Sequence, residues 1–131
     1  LRGVAYLQMN RPDAAVRDLT EAIAMEPDQP GHYVNRATAN AALERFDDVV
    51  RDAGKAVELD PDYADAYANR CWGYAKLEQY DRAIADCDRA IELNPEHADA
   101  YSNRGLAYFG KGMRAEAERD LAQAKALLGV N

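Results

Sequence analysis

Cysteine, phenylalanine, lysine and tryptophan are all scarce in this chain. Its 131 residues hold two Cys, two Phe, one Trp and four Lys. Two cysteines, Cys71 and Cys87, do not make a disulfide-rich scaffold. No apolar run approaches the ~18 residues of a membrane span, and no signal-peptide pattern is visible. Cations are outnumbered as well: Lys and Arg total 16 against 23 Asp and Glu, a net charge of −7. That balance excludes a general nucleic-acid binder, whose affinity rests on neutralising phosphates. It equally disfavours direct docking on anionic lipid and biases the chain toward neutral or basic partners.

Catalytic and cofactor signatures are missing too, so no cofactor is expected. Gly110-Lys111-Gly112 lacks the spacing of a phosphate loop and a following Ser or Thr, and reads as a turn between helices. His32 and His97 stand far apart, with no second His or Cys at metal-ligand spacing, and read as surface residues. No lone carboxylate pair is singled out for acid–base work. The cysteines read as two reduced, buried thiols filling space. A disulfide in an oxidising compartment is the alternative.

What the chain does have is a period. Pro27, Pro61 and Pro95 are spaced by 34 residues, as are Tyr33, Tyr67 and Tyr101. Asn35-Arg36, Asn69-Arg70 and Asn103-Arg104 keep that register, and so do Ala22, Ala56, Ala90 and Ala124. Helical patterning fills each period. Tyr67, Cys71 and Tyr74 fall on one helical face; Ile84, Cys87 and Ile91 form a second stripe flanked by Ala83 and Ala90. Small Ala lets two helices approach closely. Each proline ends the preceding helix, and Asp62 and Asp65 lie near the next N-terminus, where negative charge is favourable. Helices are expected at 1–9, 13–25, 30–43, 47–59, 64–77, 81–93, 98–111 and 115–128. The 26 alanines and the excess of Arg over Lys match a GC-rich bacterial genome.

Over essentially its whole length the chain resembles the tetratricopeptide repeat family, built from 34-residue helix–turn–helix units. The resemblance implies an all-α, right-handed α-solenoid of about three and a half repeats: a partial 1–29, then 30–63, 64–97 and 98–131. It is closest in 64–97, where Tyr67, Tyr74, Tyr80, Ala83, Ala90 and Pro95 fall on the family pattern. Repeat 30–63 departs most. Ala37 stands where Gly is usual, Asn40 where an aromatic is usual and Val49 where Ala is usual, and Ala53 and Gly54 thin its second helix. This repeat is expected to pack least tightly.

Two matched positions on the second helices read Val16, Val50, Ile84, Glu118 and Ile23, Val57, Ile91, Lys125. The last repeat is charged at both, as a polar capping helix requires. The first helix begins mid-pattern, so an upstream continuation is expected, and Leu1, Val4 and Leu7 would offer an apolar edge to a second copy.

Arg2, Arg36, Arg70 and Arg104 recur with Asp18, Asp52, Asp86 and Asp120. Donor and acceptor repeating together point to an ion pair that locks helix packing, either within a repeat (Arg70 with Asp86) or across two (Asp86 with Arg104).

The resemblance also implies a concave groove lined by first helices. Its positions carry Asn35, Asn69 and Asn103, with Thr38, Trp72 and Leu106 one turn on. Ala41, Ala75 and Phe109 lie a turn further, Lys76 sits deeper, and Asp65 and Asp99 stand at the rim. Each Asn amide offers donors and an acceptor that match a peptide bond. The row is similar to the asparagine ladder of O-linked N-acetylglucosamine transferases. The alternative is that these amides bond neighbouring helices. Trp72 is either a binding anchor or a side chain packed on the adjacent first helix. Chaperone-tail receptors of the family grip a C-terminal carboxylate with Lys and Arg. Here Asp65 and Asn69 occupy two of those positions, which argues against that ligand.

The expected function is therefore a non-catalytic scaffold for a protein or an extended peptide, neutral to basic and with apolar anchors. The competing readings are a substrate-recruiting appendage of a larger enzyme and a self-assembling oligomerisation module. A cytoplasmic setting is expected, with the periplasm open to a chain carrying an upstream signal.

Overall fold

A computed structural model describes residues 11–129 of the protein. Seven α-helices follow one another: α1 (Pro12–Met25), α2 (Pro30–Ala42), α3 (Phe46–Leu59), α4 (Ala64–Lys76), α5 (Tyr80–Leu93), α6 (Ala98–Gly110) and α7 (Arg114–Leu127). Each lies within one residue of the range the periodicity predicts. The expected helix at 1–9, Arg2 and the edge residues Leu1, Val4 and Leu7 lie outside the described residues.

Two kinds of turn alternate. Between the helices of one repeat the chain passes through a left-handed residue: Glu44 (φ 57°), Glu78 (φ 61°) and Gly112 (φ 83°). Around it the backbone closes the same way three times. The amides of Arg45, Gln79 and Met113 each donate to the carbonyl of Asn40, Tyr74 and Tyr108, at 2.9 Å. This motif satisfies the last carbonyls of the first helix. Glutamate tolerates the left-handed conformation less well than the Gly of the third turn. Between repeats, Pro27, Pro61 and Pro95 follow extended C-caps at Glu26, Asp60 and Asn94. The hydroxyls of Tyr33 and Tyr67 donate to the carbonyls of Pro27 and Pro61, both at 2.9 Å, and tie the next first helix to that turn.

The core is built from small side chains, so the helix axes approach closely. Ala15, Ala83, Ala117, Ala56 and Ala90 are fully buried. At the Ala15 position of the next repeat stands the larger Val49, also buried. Its room comes from α4. A Cβ on Gly73 would meet the Cγ1 of Val49 at 3.1 Å and the Cγ2 of Val50 at 2.9 Å. The equivalent of Gly73 is Ala39 before it and Ala107 after it. The two carbons that Val49 adds over Ala on α3 are thus accommodated by the methyl group absent from α4.

Cys71 and Cys87 are joined in a disulfide between α4 and α5, correcting the expectation of free thiols. The same pair of positions is Ala37 with Ala53 in the preceding repeat. In the following one, Gly105 lies against Leu121, where an added Cβ would come within 3.3 Å of Cγ. One helix–helix contact is filled in three ways: two small residues, a covalent bridge, and no side chain against a large one.

Candidate functional site

The recurring arginines and aspartates settle into pairs within each repeat. Arg36, Arg70 and Arg104 each present Nε and Nη2 to both carboxylate oxygens of Asp52, Asp86 and Asp120, at 2.7–2.9 Å. Forked, charge-assisted bonds of this kind are strong and directional. The hydrogen bond to Asp86 raises the Arg70 guanidinium above its ordinary value against the opposing effect of burial, and Asp52 and Asp120 act alike on Arg36 and Arg104. The arginines also reach across repeats, where Arg36 Nη1 donates to Thr20 Oγ1 (3.2 Å) and Arg104 Nη1 to Asp88 (2.9 Å). These side chains bind helices together; they do not form a row of cations for a ligand.

Along the opposite side of the first helices run two adjoining hollows. One, of about 270 Å³, is lined by Asn35, Tyr63, Asp65, Ala68 and His97. The other, of about 190 Å³, is lined by Ala41, Val49, Trp72 and Asn103. Thr38, Asn69 and Asp99 belong to both and make them one groove. Eight of the residues selected from sequence therefore meet there: Asn35, Thr38, Ala41, Asp65, Asn69, Trp72, Asp99 and Asn103.

The asparagines do two things at once. Asn69 Nδ2 donates to Thr38 Oγ1 (3.3 Å), and Asn103 Nδ2 donates to the carbonyl of Ala68 (3.0 Å). Both amides thus bond the neighbouring first helix while lining the groove. Trp72 is likewise shared. It meets the Phe46 ring edge-on, with centroids 5.4 Å apart, and packs on the buried Ala37, Val49 and Ala53. The Lys76 ammonium stands 5.6 Å from the Trp72 centroid and covers part of the ring. Leu106 and Phe109 do not join the hollows. They are 38% and 54% exposed, with the Arg114 guanidinium 5.8 Å from the Phe109 centroid.

Both histidines depart from the sequence reading. His32 is 8% exposed, with Nε2 3.1 Å from a Glu26 carboxylate oxygen. His97 has a 10% exposed side chain and caps α6: its Nδ1 accepts the Ala100 amide (3.2 Å). Nε2 is then the protonated nitrogen and donates to Asp65 Oδ1 at 2.7 Å. His97 thus holds a rim carboxylate in place. The signal for it was its position just before an Ala-Asp-Ala helix start, the place of an N-cap. Burial, reinforced by Asp65 and Asp60, raises the Tyr63 phenol above its usual value, so the ring beside Asp65 is neutral at ordinary pH.

Among the described residues, no group of three or more His, Cys, Asp or Glu is placed to hold a metal ion, and no helix is long and apolar enough to cross a membrane. Glu118 and Lys125 on α7 are exposed, and so are Leu121 and Leu128 on or just after the same helix.

The sequence matches two family models, "Tetratricopeptide repeat" over residues 1–64 and "TPR repeat" over residues 74–112. The chain belongs to the tetratricopeptide repeat family. Solved members share its all-α right-handed solenoid. A thermophilic TPR protein of Thermus thermophilus, TTC0263, is 26% identical with a TM-score of 0.86, over 95% of this chain and 70% of that one. MamA from Desulfovibrio magneticus RS-1 is 25% identical with a TM-score of 0.81, over 95% and 71%. The first TPR domain of Spaghetti (RPAP3), bound to the HSP90 peptide SRMEEVD, is 26% identical with a TM-score of 0.75, over 92% and 88%. No curated protein matches the sequence.

Proposed function

We propose that this chain is a non-catalytic scaffold that holds an extended segment of a partner protein along its first-helix groove. The reading rests on one observation: Asn35, Asn69 and Asn103 share a continuous hollow with Trp72 and with the carboxylates Asp65 and Asp99. Each Nδ2 of Asn69 and Asn103 uses one of its two hydrogens on a neighbouring helix, which leaves the second to donate to, and the side-chain carbonyl to accept from, a peptide backbone. Trp72, already braced by Phe46, offers a rigid apolar surface to a partner side chain at low entropic cost. Asp65 and Asp99 favour a neutral or basic segment.

The RPAP3 domain binds a peptide with an acidic C-terminal end. In this groove the acidic rim would repel such a ligand, and charge repulsion across an interface is an effective means of rejecting wrong partners. An array of decapeptides varied in charge and apolar content tests this. Basic peptides with an apolar anchor should bind, SRMEEVD should not, and Asp99→Lys should weaken the basic binders roughly tenfold, about 1.4 kcal/mol. Binding indifferent to peptide charge and to Asp99→Lys would overturn the assignment.

A further inference from the structure

A third hollow, of about 190 Å³, opens on the other side of α2, between α1, α2 and α3. It coincides with one change in the repeat pattern. Tyr74 and Tyr108 fill the corresponding place in the next two repeats, with the Arg70 and Arg104 guanidinium carbons 5.9 and 5.8 Å from their ring centroids. In the repeat at 30–63 that place belongs to Asn40. Arg36 keeps its ring on one side, Tyr33 at 5.9 Å, and faces the hollow on the other.

Asn40 is 3% exposed. Its Nδ2 donates to Asp52 Oδ2 at 3.2 Å, which fixes the amide orientation, and its Oδ1 is buried without a hydrogen-bond partner. A buried acceptor left unmade is costly and calls for a donor. The charges around it nearly cancel. Arg36 is paired with Asp52 and Arg51 with Asp48, leaving Arg45. Both carboxylates of the wall are paired with arginines, and the Arg36 guanidinium, which lines the hollow, suits a planar ring.

We infer that the hollow beside Asn40 is a binding site for a phenol: the ring lies against Arg36 where the other repeats place their own tyrosine, and a small rotation of the Asn40 side chain brings its buried, unpaired Oδ1 to the hydroxyl. This site is separate from the peptide groove. On α2, Arg36 and Asn40 lie on a different face from Asn35 and Thr38.

The test follows the side-chain nitrogen resonances of Asn40 and Arg36 in isotope-labelled protein titrated with p-cresol, toluene, N-acetyltyrosine amide and inorganic phosphate. p-Cresol should shift both resonances saturably and bind about tenfold tighter than toluene, the worth of one hydrogen bond to a buried acceptor. Asn40→Tyr, which supplies the ring from within, should abolish the response. Asn40→Leu, which removes the acceptor and leaves most of the space, should make p-cresol and toluene equal. A response to N-acetyltyrosine amide as well would assign the site to tyrosyl side chains; a response to p-cresol without it would assign it to free phenols. No saturable shift with p-cresol would mean a hollow filled by water alone. A shift with phosphate but not p-cresol would mean an anion site. Either result, or p-cresol binding unchanged in Asn40→Leu, overturns the proposal.

Discussion

The repeats at 30–63 and 64–97 share a frame and differ in what surrounds it. In the second, the Arg70 guanidinium carbon lies 5.9 Å from both the Tyr67 and Tyr74 centroids and is forked to Asp86. A disulfide ties α4 to α5 just beside it. In the first, the same fork joins Arg36 to Asp52, but one ring is replaced by a hollow and the bridge by Ala37 and Ala53. Packing in the first repeat is uneven rather than uniformly loose, because Val49 is buried against the space left by Gly73. The fork is thus the constant part of the scaffold, and the positions next to it are where one repeat gains rigidity and the other gains an opening.

Breaking the fork in each repeat separately is the strongest challenge to that comparison. Asp86→Ala leaves Arg70 between two rings with its charge uncompensated, and should cost about 3–4 kcal/mol. Measured in an Asn40→Leu background, because Asp52 Oδ2 also accepts the buried Asn40 Nδ2, Asp52→Ala should cost about 1 kcal/mol less, since Arg36 keeps its bond to Thr20 (3.2 Å) and borders a hollow where water can solvate it. Denaturant unfolding of the two variants side by side decides the order. Equal losses would mean that the hollow gives Arg36 no relief.

The second difference is covalent. The bridge closes a loop between residues 16 apart, and at about that length it contributes roughly 3 kcal/mol by restricting the unfolded chain. Reductant should therefore lower the stability of the protein by about 2–3 kcal/mol and leave Cys71→Ala/Cys87→Ala unaffected. That variant copies the Ala37–Ala53 solution of the neighbouring repeat. Thiol titration of the unfolded protein should find no free thiol before reduction and both Cys71 and Cys87 after it. Free thiols at the outset would remove the bridge from the comparison.

Much of this architecture was legible because a period repeats its own evidence. The prolines, the Asn-Arg pairs and the recurring alanines place the seven described helices, the family resemblance supplies the groove positions, and the joint recurrence of Arg and Asp marks a structural pair. The choice between pairing within and across repeats needed coordinates, because Arg104 reaches both Asp120 and Asp88. Single events were harder to read. Cys71 and Cys87 have the same separation as Arg70 and Asp86, so the frame held a pointer to the bridge, but one pair occurring once carries no repeat statistics. His97 reads as a surface residue because it follows Pro95 with no ligand partner near it in sequence, and the equivalent positions hold Tyr63 and Gln29, which carry no such contact to the preceding rim. Asn40 was visible as a departure from pattern. That its place stays open, with Oδ1 buried and unpaired, depends on the α1 and α3 side chains around it.

The smallest test concerns the backward contact of each arginine. Arg36 reaches Thr20 and Arg104 reaches Asp88, while the matching position behind Arg70 is Gly54. A Cβ at Gly54 would meet only the Arg70 Nη1 within 4 Å, at an ordinary contact distance of 3.6 Å. Gly54 lies inside α3, where Gly costs about 1 kcal/mol relative to Ala. Gly54→Ala should therefore raise stability by about that amount. Gly54→Asp gains less from helix propensity but places a carboxylate where Asp88 binds Arg104. It should be stabilising by about 0.5 kcal/mol at low salt, with part of the gain lost as salt is added. Because Ala adds no charge, a salt-dependent gain in Gly54→Asp that is absent from Gly54→Ala would isolate the backward contact itself. If both variants gained equally at every salt concentration, Thr20 and Asp88 would be incidental neighbours, and the arginine fork alone would account for the frame that the two repeats share.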